Sequence, residues 1–235
     1  MPQIDDAELF GNAEDQRAYE EFCANQEAVE KFTLDKPALV CRWRMSNKKV
    51  PMLNRHIRAL SERLVQGEPL THNMLSWAKQ HVEWSLAEGD YTAHDGVLML
   101  VIDVNGNAAM TVGEYEPLAD TSAKALRARS AEARSEADET GVAPELLAAV
   151  DNGELAFVAP ADECLCGTAT LIEQLAQTKG IPVTRVDIPA QLKGALFLVS
   201  DEHGVVPATE TDAAEADAAT VAFFADGYEK LRARR

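Results

Sequence analysis

Apolar positions change their period along the chain, and each change marks an element. Ala38–Arg44 (ALVCRWR) alternates, which predicts a strand. Ser46-Asn47-Lys48-Lys49 reads as a turn, and Val50–Leu53 as the strand that pairs back across it. A long helix is expected over His72–Glu88, where Leu75, Ala78, Val82 and Leu86 recur at helical spacing. Gly96–Val104 (GVLMLVIDV) is the strongest strand of the first half. Asn105-Gly106 is a turn dipeptide, so Ala108–Val112 should return as its hairpin partner. Arg127–Thr140 is a polar helix. Val183–Ile188 alternates as a strand, and Leu196–Ser200 (LFLVS) is apolar enough to be a central one. Two helices frame the chain. Asp5–Phe32 sets Tyr19, Phe22, Cys23 and Val29 near one face, and Val221–Arg235 does the same with Val221, Phe224, Tyr228 and Leu231.

The most informative stretch is Glu163–Val183. Thr170 and Glu173 have the spacing of a capping box, and Leu171, Ile172, Leu175 and Ala176 then form one apolar face. Lys179 sits in the last turn, Gly180 suits the left-handed position after a helix, and Pro182 forbids continuation. This helix opens on small residues, Gly167-Thr168-Ala169-Thr170. Free amides and the positive end of the dipole would suit a phosphate there. An ordinary amphipathic helix with a good cap accounts for the same residues.

Composition narrows the class. The chain has 235 residues, 46% of them hydrophobic and 26% charged, enough for one large domain or two small ones. Asp and Glu number 39 against 22 Lys and Arg, a net charge of −17. Such a surface repels phosphate backbones, so neither nucleic acid nor an anionic membrane is an expected partner. No apolar run is long enough for a transmembrane helix, and the N-terminus MPQIDDAELF lacks a signal-peptide layout. Four cysteines are too few for a secreted disulfide framework. Cys164 and Cys166 have no second pair nearby, so no metal site is expected. Reduced thiols in a cytoplasm follow. The sequence contains no G-x-S-x-G, H-E-x-x-H, P-loop or G-x-G-x-x-G motif.

The order of the segments Gly167-Thr168, Gly180–Val183, Leu196–Ser200 and Gly204–Pro207 resembles the class IV (fold type IV) pyridoxal-phosphate enzymes. That family comprises branched-chain and D-amino-acid aminotransferases and aminodeoxychorismate lyase. The resemblance covers about half the chain. It implies an α+β fold of two α/β domains, 1–115 and 116–235, with a cleft between them, and it implies a homodimer. Pyridoxal 5'-phosphate is the implied cofactor and a small amino acid or keto acid the implied partner. Gly167, Thr168, Ala169 (through its backbone) and Ser200 fall on the phosphate-binding positions. Lys124, just past the Gly113–Ser122 linker, falls on the lysine that forms the Schiff base and then shuttles a proton. A solvated lysine at a helix start accounts for Lys124 equally well.

The sequence also departs from the family. Ala59 stands where a phosphate-binding arginine is expected in Asn54–Ser61. The N-terminal glycine signatures are replaced by KFTLDKP at 31–37, and the hairpin carrying the glutamate for the pyridine nitrogen is missing before Asp151-Asn152-Gly153. Two functions stay open on these grounds. One is an aminotransferase or lyase with an altered cofactor site. The other is a degenerate relative without cofactor that serves as a binding or scaffold module.

Overall fold

The structure, a computed structural model, describes residues 33–89, 94–141, 145–187, 192–210 and 212–233, with Arg17 and Glu21. The helix expected over Asp5–Phe32 lies outside the described residues. In chain order the elements are β1 (Pro37–Met45), α1 (Leu53–Ser61), β2 (Leu64–Val65), β3 (Glu68–Pro69), α2 (His72–Glu88), β4 (Gly96–Asp103), β5 (Ala108–Gly113) and α3 (Ala123–Thr140). There follow β6 (Leu146–Asp151), β7 (Glu154–Val158), α4 (Gly167–Thr178), β8 (Val183–Val186), β9 (Ala195–Ser200), β10 (Gly204–Pro207) and α5 (Glu215–Arg232). The fold is α+β, as expected from the sequence.

Alternation in β1 buries Leu39, Cys41, Trp43 and Met45 and leaves the residues between them partly solvated. β1 pairs with β4 rather than with Val50–Leu53. The turn at Ser46–Lys49 does form, with Asn47 and Lys48 both at positive φ, but only a single bridge follows it. Met52, also left-handed, then redirects the chain into α1. The long apolar run of β4 is the better partner for β1, because both strands present their buried sides to one layer. β4 and β5 form the expected hairpin, giving the sheet order β1-β4-β5. Against its inner face pack Leu53 and Leu60 of α1 and Met74, Ala78, Val82 and Leu86 of α2.

The second sheet has the order β10-β9-β6-β7-β8. Its central strands carry the continuous apolar runs LLAAV and ALFLV because both faces are covered. Leu146, Ala148, Val150, Phe197 and Val199 face α4 and α5, where Ile172, Val221 and Phe224 meet them. Leu147, Ala149, Leu196 and Leu198 face the other way, toward Leu126 of α3. No helix among the described residues is long and apolar enough to cross a membrane.

The β6–β7 turn is held from outside the sheet. Asn152 and Gly153 both have positive φ, as the tight turn requires. Their amides donate to the buried carboxylate of Asp217 in the first turn of α5, at 3.0 and 2.9 Å. Asp217→Asn keeps the shape but gives up one acceptor and the charge. It should cost about 1 kcal/mol, read from the denaturant midpoint. An unchanged midpoint would show that the turn stands without this brace.

Candidate functional site

The two sheets meet along a cleft walled by β1 and α1 on one side. The other wall is formed by α3, the start of α4 and the β9–β10 turn. It encloses a cavity of about 80 Å³, lined by Cys41, Arg42, His56 and Ala59 from the first wall and by Glu136, Cys166 and Asp201 from the second. Arg42 is ion-paired with Glu136 across the cleft, and Arg63 donates to the carbonyl of Cys164.

At its inner end the start of α4 already holds an anion. The Thr168 amide donates to Oδ1 of Asp201 at 2.7 Å, and the Gly167 amide to Oδ2 at 3.2 Å. His56 approaches Oδ2 through Nδ1 at 3.1 Å, while its Nε2 lies 3.1 Å from the carbonyl of Pro51. The two ring nitrogens thus lie near two oxygens, one of the Asp201 carboxylate and one of the Pro51 carbonyl. It is 3% exposed and stacks on Trp43. Burial pushes the Asp201 carboxyl upward. The His56 charge, with hydrogen bonds from His56 and the Thr168 amide, outweighs that and brings it down to about 2. The neighbouring thiols move the other way. Burial, then the Asp201 charge, pushes Cys41 up to about 12 and Cys166 well above its ordinary value, the latter against a hydrogen bond from the Ala169 amide.

Gly167 permits this approach. A Cβ there would lie 2.5 Å from His56 Nδ1, so only glycine lets the helix start press against the ring. The capping box expected at Thr170 does not form. Thr170 Oγ1 donates to the Gly167 carbonyl and accepts from Arg55, because the helix begins three residues earlier, at Gly167. Asp201, from the far side of the chain, does the capping instead.

Of the residues singled out from the sequence, the structure brings Gly167, Thr168, Ala169 and Ser200 into one corner. The phosphate-sized opening expected among them is filled by Asp201. The Ser200 hydroxyl accepts from the His203 amide at 2.8 Å, which engages it in closing the β9–β10 turn. Lys124 is not brought there. Ser122 caps α3 through the Ala125 amide, and Lys124 stands exposed in the first turn. The cavity touches α3 at Ala133, Glu136 and Ala137. Nine residues separate Lys124 from Ala133, about 14 Å along the axis, and no lysine lines the cavity.

A second cluster lies behind the β9–β10 turn. His203 Nδ1 meets the Tyr115 hydroxyl at 3.3 Å, and Nε2 lies 3.7 Å from Glu145 and 4.0 Å from Glu202. Burial lowers the His203 pKa. The ligand atoms of Glu145, Glu202 and His203 have metal-like spacing, but both oxygens of Glu145 already accept from Arg129 at 2.7 Å. No local motif in the sequence marks Glu145. Its partner Arg129 lies 16 positions away on α3.

These residues do not fit pyridoxal phosphate. The amides for its phosphate are taken by a carboxylate, Ala59 supplies no cation, and Lys124 is not among the residues that line the cavity.

The fold is shared with known structures. No protein-family model matches the sequence, and no curated protein matches it. Among solved structures, one assigned as a 4-amino-4-deoxychorismate lyase superposes with a TM-score of 0.56 at 14% identity, over 83% of this chain and 94% of that one. A fold IV-transaminase from Curtobacterium pusillum gives 0.55 at 14% identity, covering 88% and 93%. A hypothetical aminotransferase from Mycobacterium tuberculosis, in a form with pyridoxal phosphate bound, gives 0.51 at 12% identity, covering 87% and 95%. The chain therefore has the fold type IV architecture expected from its segment order.

Proposed function

We propose that this chain works without pyridoxal phosphate, as a binding or scaffold module built on the fold type IV architecture. The observation that carries this reading is the Asp201 carboxylate on the Gly167 and Thr168 amides. An anion already bound there repels a phosphate and blocks its donors. The exposed position of Lys124 and the alanine at position 59 support the same reading. Similarity of fold to transaminases and lyases does not oppose it, because one architecture serves many functions. The aminotransferases among the similar structures make a small amino acid or keto acid the ligand class to try first in the cleft.

Mixing the purified protein with pyridoxal phosphate tests this. The expected result is no visible Schiff-base absorbance. Borohydride should then fix label evenly over surface lysines, and the Lys124→Ala variant should label to the same extent. A visible band that Lys124→Ala abolishes would overturn the proposal and return the protein to the aminotransferases and lyases.

A further inference from the structure

We infer that the start of α4 is an anion site closed by the protein's own Asp201, so that the native cleft excludes phosphate and loss of this one carboxylate opens it. Two amides and one buried ring from two elements converge there. The Gly167 and Thr168 amides come from α4, and the His56 ring comes from α1. The ring is the independent witness. It is 3% exposed, pinned by the Pro51 carbonyl and stacked on Trp43, and its Nδ1 points into the same space as the amides. A buried histidine so aligned marks a place built for negative charge rather than a bare helix end.

Asp201 occupies that place with little freedom to leave it. Its carbonyl accepts from the Arg44 amide at 2.9 Å, and the Ser200 hydroxyl closes the turn that follows. The carboxylate is therefore presented at an effective concentration that a free anion does not approach. The amides belong to the backbone of α4 and the ring to α1, so all of them remain when the side chain of Asp201 is removed. Asp201→Gly should leave a vacant cradle with the charge preference it had before. This inference concerns the same cleft as the cofactor-free reading and deepens it. Inorganic phosphate forms no Schiff base, so failure here leaves that reading's own test untouched.

The test compares inorganic phosphate binding to the wild-type protein and to Asp201→Gly by amide NMR and thermal melting. In the wild type, phosphate should leave the Gly167 and Thr168 amide signals unmoved. A saturable shift of those signals would overturn the inference, and this arm needs no variant. In Asp201→Gly, phosphate should shift the same amides and raise the melting temperature, with affinity at least tenfold above the wild type. A folded variant that phosphate neither shifts nor stabilises would overturn it as well.

Discussion

Asp201→Ala should lower stability at neutral pH by about 3–5 kcal/mol, because removing one partner of a buried pair strands the other. The stranded group is His56, fixed between Trp43 and the Pro51 carbonyl. The helix loses its cap in the same step. The wild-type protein should report the pair through its acid limb. The Asp201 carboxyl titrates at about 2 in the folded chain against 3.8 ordinarily. Between those values the unfolded chain binds more protons, so the contribution is complete above about pH 4 and disappears as pH falls toward 2. The difference is worth on the order of 2 kcal/mol. Urea denaturation of the wild type and of Asp201→Asn between about pH 5 and about pH 2 should show a steeper acid limb in the wild type. Superimposable pH profiles would refute the ion pair.

Gly167→Ala should destabilise although it puts a better helix former into a helix. The ordinary gain is up to about 1 kcal/mol. Here the new methyl meets His56 Nδ1 at 2.5 Å and His56 Cα at 3.3 Å. The ring cannot retreat without leaving Asp201 or Trp43, so overpacking should cost about 1–3 kcal/mol net. Since the damage passes through the same pair, the effects of Gly167→Ala and Asp201→Ala should be less than additive. Equilibrium unfolding of the two single variants and the double variant measures this. A stabilised Gly167→Ala would mean that the helix start has room to move away from His56.

Much of the scaffold was legible because its signals are local. The helix over His72–Glu88 has the expected bounds, and Asn105-Gly106 makes the predicted hairpin. Gly180 takes the left-handed φ its place after α4 called for. The hairpin at Val50–Leu53 misled because a real turn at Ser46–Lys49 is followed by a second left-handed residue, Met52, which no pattern of apolar residues reveals. The site was legible only in outline. Segment order pointed to the Gly167–Thr168 corner and to Ser200, and the alanine at position 59 was a visible departure. What fills the corner could not be read. Thr170 and Glu173 satisfied the local rule for a cap, while the residue that caps lies 33 positions after Thr168 and arrives only when β9 is laid beside β6. Lys124 stood between two readings for a related reason. Position after a linker says nothing about which side of a helix, or which end, meets a cavity.

Asp201 bonds to three separate elements: through its carbonyl to β1, and through its carboxylate to α1 and α4. Those elements belong to the two opposite walls of the cleft. A hinge needs a line across which few bonds run, and this residue rivets that line shut. The walls are consequently coupled like the halves of a clasp, with the fastening at the innermost point. Anything that enters must do so by fluctuation of side chains at the rim, since swinging the walls apart would first require undoing the clasp.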